Sequence, residues 1–231
     1  METRNFGGFT TTTKTIARGI GVIGLLQFAY LVVYVEAATA AGSTRRSSRT
    51  CPDDCRCVDT GAGTTVTCRR GSLAHVPRSI PPDTTTVLDL DHNHISLLQN
   101  DSIPSTVWRL EVLSLQDNGL LHVEVGVFAA LTELRILRLG RNHLSTLPRD
   151  VFAANRKLEV LDLHANYFSV LPDQAVYQLH VLRLLNVSFN HLTTPELGPG
   201  FHFTKQLSVI DLSGKSRELA IHRATQPLMG S

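Results

Sequence analysis

The chain has 231 residues, which is enough for one or two domains of ordinary size. Its formal net charge is +2 and aromatic residues make up 6%, so the composition carries no electrostatic footprint for nucleic acid, and no nucleic-acid partner is predicted. All four cysteines lie between residues 51 and 68, which indicates one local structural device.

Residues 1–40 are typical of a secretory signal peptide. Arg4, Lys14 and Arg18 precede an uncharged run over residues 19–35, and small residues suited to cleavage follow. The run is long for a signal peptide and at the lower limit for a membrane span, so an uncleaved signal anchor is the alternative. In both cases the rest of the chain is expected outside the cell, because the basic flank stays in the cytoplasm. Membrane attachment is expected only through such an anchor or in a longer form of the protein.

The next segment joins this leader to the cysteines. Residues 41–50 are small, polar and basic without apolar periodicity, and are predicted to form a linker. The oxidising compartment implied by a secretory signal favours disulfides over a zinc site. Residues 51–83 are therefore predicted to form a disulfide-bonded cap. Three pairings are open to its four cysteines, which are Cys51, Cys55, Cys57 and Cys68.

Five segments then repeat one pattern, starting at residues 85, 110, 134, 158 and 182. Each has apolar residues at its fourth, sixth and eleventh places and an asparagine at its ninth, and the step is 25 residues once and then 24. A sixth copy from Leu207 keeps only the first half of the pattern. Self-similarity of this length marks a repeat architecture. The five asparagines are Asn93, Asn118, Asn142, Asn166 and Asn190.

The apolar residues of each copy alternate with period two, as in a short β-strand with one buried side. One strand cannot bury that side alone, but stacked copies make a parallel sheet over a shared core. The pattern resembles that of extracellular leucine-rich repeat proteins with an amino-terminal cysteine cap. The resemblance implies a mostly β solenoid of the α/β type, curved like a horseshoe, with a parallel sheet on the concave face of residues 84–214. It also implies an inner hydrogen-bond ladder from the five asparagines, and pairing of Cys51 with Cys57 and of Cys55 with Cys68.

The segments that return between strands carry large apolar residues. Phe128, Phe152 and Phe201 recur at corresponding places and are predicted to stack in the core. Trp108, just before the second strand, is also expected to pack there.

Outward strand positions supply candidate ligand-binding residues on the concave face. Acidic side chains gather in the first two repeats, a basic patch follows in the third, and Phe189 is the candidate apolar anchor. This alternation favours an extracellular or cell-surface protein as the partner, and a solvated face with incidental charges is the alternative. The candidates are Asp89, Asp91, Asp117, Arg138, Arg141, Asp162, His164 and Phe189.

Two sequons, at Asn100 and Asn186, are predicted glycosylation sites. Asn100 is expected in an irregular loop, whereas Asn186 is expected to project from the sheet, where a glycan would obstruct the concave face. The ten histidines lack the spacing of a metal site, and no catalytic constellation or phosphate-binding glycine motif is found. The chain is therefore predicted to use no metal or cofactor and not to be an enzyme.

Residues 215–231 match neither a repeat nor a cysteine-rich carboxyl cap, and form a divergent tail. An open solenoid end would expose core and a bare sheet edge. Three explanations are open: the tail covers the end, the chain forms a homodimer through it, or the chain is a truncated form of a longer receptor, which is the favoured expectation.

Residues 184–214 resemble part of a Toll-like receptor ectodomain, which implies ligand recognition and receptor dimerisation. One alternative is a secreted matrix, adhesion or guidance protein similar to small leucine-rich proteoglycans or Slit-type proteins. Another is a truncated product without function.

Overall fold

The computed structural model describes residues 51–69, 71–193 and 196–214, together with the backbone of residues 15–17. Apart from that backbone, the predicted signal peptide, the linker and the divergent tail lie outside the described residues. The strands are β1 (Thr15–Ala17), β2 (Arg56–Asp59), β3 (Thr64–Thr67), β4 (Thr85–Asp89), β5 (Leu97–Leu98), β6 (Val112–Ser114), β7 (His122–Val123), β8 (Ile136–Arg138), β9 (Val160–Asp162), β10 (Leu184–Asn186) and β11 (Val209–Asp211). The helical turns are α1 (Asp173–Val176) and two 3-10 turns, Ser105–Val107 and Pro199–Phe203.

Nine strands form one sheet in the order β1-β11-β10-β9-β8-β6-β4-β3-β2. Neighbours pair in parallel except in the β2–β3 hairpin. The repeats stack in register, since Leu137 lies opposite Leu113 on one side and Leu161 on the other. The predicted solenoid with a parallel sheet is confirmed. Within the ranges that the structure describes, no helix is long and apolar enough to cross a bilayer.

The core lies between this sheet and the returning segments. Leu113, Leu137 and Leu161 are fully buried, and the rings of Phe128 and Phe152 stack with centroids 5.7 Å apart. The predicted burial of the leucines and phenylalanines is therefore confirmed. Trp108 is 45% exposed and donates its indole N–H to the Asp83 carboxylate at 2.8 Å. The expectation that Trp108 packs in the core is wrong, because Val107 fills the core position and the next side chain points outward.

The asparagine after each strand binds the backbone of its own turn and of the repeat before. The Nδ2 of Asn142 donates to the carbonyls of Leu115, Leu139 and Gly140 at 2.9, 3.0 and 3.2 Å. Its Oδ1 accepts N–H bonds from Asn118 and Leu120 at 3.1 and 2.9 Å. These bonds satisfy buried backbone groups that strand pairing leaves unpaired. The other four asparagines bond in the same manner, namely Asn93, Asn118, Asn166 and Asn190.

The residue before each asparagine has left-handed backbone, with φ between 51° and 58°. This conformation costs on the order of 1 kcal/mol for a residue with a Cβ. It recurs because the asparagine bonds fix the turn whatever residue precedes it. We call these residues the turn column, and they are His92, Asp117, Arg141, Ala165 and Phe189.

The amino-terminal cap closes one end of the core. Disulfides join Cys51 to Cys57 and Cys55 to Cys68, so both implied pairings are confirmed. Cys68 is fully buried and follows β3, which pairs with β4 of the first repeat. The second disulfide therefore links the cap directly to the repeat sheet.

Candidate functional site

Outward positions of the sheet form columns of side chains about 5 Å apart along the stack. One margin of the concave face is an apolar column in which Ile136, Val160 and Leu184 are 8%, 8% and 5% exposed. These side chains pack on one another and offer little surface to a partner. The remaining outward strand positions form polar columns. These polar columns and the turn column together contain all eight predicted ligand-binding residues.

Two of the acidic candidates lie at the seam between the cap and the first repeat. Asp89 and Asp91 are 5% and 3% exposed, and Arg69 lies 2.7 and 3.4 Å from their carboxylates. Asp91 also accepts the backbone N–H of Gln116 at 2.8 Å. Burial and the nearby charge of Asp89 raise the pKa of Asp91, against the opposing hydrogen bonds from Ser114 and Gln116 and the charge of Arg69. These carboxylates hold the seam together and are not exposed on the face.

The other acidic candidates have histidine partners. Asp117 lies 2.8 Å from Nδ1 of His92, and both side chains are about half exposed. Asp162 is 7% exposed and lies 2.9 Å from Nδ1 of His164. The His164 ring fills the space above Gly140, where a Cβ would lie 2.2 Å from Nδ1.

The two basic candidates differ in exposure, but both lack an ion pair. Arg138 is half-buried and Arg141 is exposed, and neither forms an ion pair with a residue in the described part of the chain. Arg138 stands in β8 between Ser114 of β6 and Asp162 of β9. Arg141 stands in the turn column, two residues after Leu139. The third repeat therefore presents two cationic groups that no described carboxylate neutralises.

Phe189 is 61% exposed, although it belongs to a folded turn. Its neighbours at the same place in adjacent repeats are small: Ala165 on one side and Gly214 on the other. A Cβ at Gly214 would lie 2.6 Å from the Phe189 backbone nitrogen, so the last turn can approach closely only with glycine. Because these neighbouring residues are small, they leave most of the Phe189 ring exposed to solvent.

Beside the turn column runs a row of rings that the sequence analysis did not identify. We call His143, Tyr167 and His191 the ring row; they follow their asparagines directly. The Tyr167 centroid is 5.5 Å from that of His143 and 5.4 Å from that of His191. Tyr167 is 50% exposed. The signal available in the sequence was a ring-bearing residue in the same place of three successive copies.

Comparison with known proteins agrees with this architecture. Residues 108–168 match the family model described as leucine rich repeat. The match identifies residues 108–168 as leucine-rich repeats. Human leucine-rich repeat-containing protein 3B is 36% identical over 87 residues, which is 38% of this chain and 32% of the relative. Mouse amphoterin-induced protein 1 is 31% identical over 111 residues, which is 48% of this chain and 21% of the relative. The matched part thus spans a third or less of these relatives.

The leucine-rich repeat sheet carries a second unpredicted feature along the margin opposite the turns. Glu159 lies 2.7 Å from Arg135 and 3.7 Å from Arg183 in the repeats on either side. Lys157 and Glu133 approach to 2.6 Å in the neighbouring column. We call this set the charge ladder. The sequence signal was opposite charge at a spacing of 24 residues, which becomes meaningful only once the repeat register is known.

The two sequons differ sharply in the folded leucine-rich repeats. Asn100 is exposed, and its Oδ1 accepts the Gly126 N–H at 2.9 Å. Asn186 is 5% exposed, and its Oδ1 accepts from the Ser188 backbone and hydroxyl at 3.0 and 2.7 Å. The expectation that Asn186 projects freely is wrong, because a short side chain in a column with 5 Å spacing is covered by its neighbours.

Proposed function

We propose that this leucine-rich repeat chain is a non-catalytic extracellular or cell-surface module that recognises a protein partner. The contact surface comprises the concave face around the third repeat and the adjoining turn column. Arg138 and Arg141 carry the proposal, since they are the predicted contact residues that remain without a carboxylate partner among the described residues. Unpaired arginines and, two repeats away, an exposed aromatic ring have the composition of an interface centre.

Two further observations support this role. The sheet is held by an inner hydrogen-bond ladder and a disulfide-bonded cap, so the surface is preformed and its ordering costs little on binding. Disulfides persist in oxidising compartments, which supports a location outside the cytosol.

The narrower identity of a Toll-like receptor ectodomain rests on the resemblance of residues 184–214. A matrix, adhesion or guidance protein would use the same fold. Both identities would present the same surface to a protein partner.

The test uses the full chain, secreted, biotinylated and tetramerised on streptavidin as a probe for intact cells. We expect saturable binding that protease treatment of the cells abolishes. The double substitution Arg138→Glu with Arg141→Glu should weaken it by about tenfold or more, since a charge placed against a complementary group costs a few kcal/mol. The matched control is Arg156→Glu, an exposed arginine outside the sheet, with unchanged thermal unfolding required of both variants. Binding that survives protease, or that falls equally in the control, would contradict the proposal.

A further inference from the structure

We propose that the turn column from Arg141 to Phe189 binds an extended polyproline II segment of a partner protein. This segment carries an acidic residue against Arg141 and, three residues later, an apolar residue against Phe189. The inference rests on the proposed function and specifies the chemistry of the partner.

The three residues that define this site have equivalent backbone. Arg141, Ala165 and Phe189 precede their asparagines with φ values of 55°, 51° and 56°. Their Cα–Cβ bonds therefore leave the turn in the same direction in three successive repeats. Ala165 is the smallest of the three, so its side chain projects less far from the turn than those of Arg141 and Phe189, and the surface is lowest at Ala165.

The two residues that bound this stretch, Arg141 and Phe189, expose groups that a partner could bind. Arg141 is exposed and has no ion pair in the described part of the chain, while its neighbour Asp117 is engaged by His92 at 2.8 Å. Phe189 is 61% exposed. A carboxylate on the partner would neutralise the first end, and an apolar side chain would cover the second.

The ring row lies two residues after the turn column in the same three repeats, so the two rows run side by side along the stack. The rings of His143 and Tyr167 stack at 5.5 Å, and that of His191 is tilted by 31° against Tyr167 at 5.4 Å, so the three rings partly cover one another and leave their edges to meet a ligand. Those edges carry imidazole nitrogens and a phenol hydroxyl, which can donate to carbonyl groups. Polyproline II backbone has no internal hydrogen bonds, so its carbonyls are free to accept them, and aromatic-lined grooves are how such segments are recognised.

The spacing decides between backbone conformations. Two repeats separate Arg141 from Phe189, which is about 9.6 Å at the strand spacing. Polyproline II advances about 9.3 Å in three residues and returns the side chain to the same side. A β-strand puts residues three apart on opposite sides, and in an α-helix the residues nearest this separation are seven apart and span about 10.5 Å.

The test is an array of synthetic polyproline peptides, each with one aspartate followed by one leucine. The number of prolines between the two varies from none to six. The probe is the full secreted chain, tetramerised and labelled. We expect a maximum at two intervening prolines, with a signal about tenfold above the other spacings, and loss of that signal when lysine replaces aspartate.

Variants of the chain locate the contact. Arg141→Glu should reverse the preference from aspartate to lysine at the same spacing, and Phe189→Ser should remove the leucine requirement. Arg156→Glu should change neither. A flat spacing profile, a maximum that persists in Arg141→Glu, or stronger binding to alanine-based helical peptides of seven-residue spacing would overturn the inference. If cell binding still depends on Arg138 and Arg141 in that case, the proposed function stands; if cell binding is absent too, both fail.

Discussion

At the scale of single residues, asparagines in this chain have two unlike structural roles. Asn142 belongs to the predicted ladder, and two buried N–H groups have it as their acceptor. Asn155 lies on the opposite side of the core, fully buried, and donates to the carbonyls of Phe128 and Leu131 at 3.0 and 2.8 Å. Its Oδ1 has no partner in the described structure. The buried position of Asn155 could not be predicted from the asparagine pattern, because the corresponding place in the neighbouring repeats holds Leu131 or Leu179.

These contacts predict different costs for the same substitution. Asn142→Leu should destabilise by about 3 kcal/mol or more, because the N–H groups of Asn118 and Leu120 lose their acceptor. Asn155→Leu should stay within about 1 kcal/mol of the wild type, because both carbonyls keep backbone donors and an unpaired oxygen is removed. Urea unfolding of the two variants measures the difference, and equal costs would refute the assignment.

Asp91 predicts a dependence of stability on pH. Its pKa is raised in the folded chain, mainly by burial and then by Asp89, so the folded state binds its proton more tightly than the unfolded state does. Folding stability relative to an Asp91→Asn variant should therefore increase as pH falls from neutral toward that raised pKa. Urea midpoints measured for both chains between pH 7 and pH 5 test the sign. A relative loss of wild-type stability over that range would show that the hydrogen bonds from Ser114 and Gln116, together with Arg69, outweigh burial.

The sequons predict unequal modification. A glycan at Asn186 would break its bonds to Ser188 and force the side chain out of a covered column, whereas Asn100 is already exposed. Glycopeptide mass spectrometry of the folded, secreted chain should find a glycan at Asn100 and an unmodified Asn186. Asn100→Gln should abolish the mobility shift on enzymatic deglycosylation. A glycosylated Asn186 in folded material would mean that this part of the sheet is more open than its hydrogen bonds indicate.

At the scale of strands and turns, the period of the sequence predicts the sheet more fully than it predicts the site. Alternation with period two assigns each side chain to a face, and the core leucines follow from it directly. How deeply an outward-pointing side chain is buried depends instead on the length of the neighbouring side chains in adjacent strands. Short aspartates such as Asp89 and Asp162 are therefore covered, while Arg141 and Phe189 reach the surface from the turn. Ion pairs between neighbouring repeats, as in the charge ladder, can be predicted only when the register of the strands is known.

The charge ladder predicts coupling between repeats. Arg135→Glu should destabilise, because it places like charge beside Glu159, and Glu159→Arg should do the same beside Arg135 and Arg183. The double substitution restores the first pair, so a coupling energy of about 0.5–1 kcal/mol is expected for these half-exposed groups. A double-mutant cycle in low salt measures it. The coupling should shrink in 1 M salt, and a value independent of salt would argue against an electrostatic origin.

At the scale of the whole molecule, the chain behaves as a one-dimensional stack in which each repeat contacts its neighbours. The cap is the unit that terminates the stack, because β3 pairs with β4 and Cys68 joins the core. Its pairing could be inferred from resemblance but not from spacing, since three pairings were open to four cysteines. A defect introduced at one end of such a stack should therefore spread with declining effect.

Removal of the Cys55–Cys68 disulfide, by alanine at both positions, tests this behaviour. We expect a loss of about 2–5 kcal/mol that is concentrated near the cap, because the linkage constrains a small end unit. Hydrogen exchange followed by mass spectrometry should show faster exchange in β3 and β4 and a progressively smaller change toward β9 and β10. The matched control is Leu137→Ala, which opens a cavity in the middle of the stack and should raise exchange on both sides of β8. Uniform loss of protection in the disulfide variant would show that the array unfolds as one cooperative block, and the cap would then stabilise the binding surface of the third repeat as strongly as it stabilises the first.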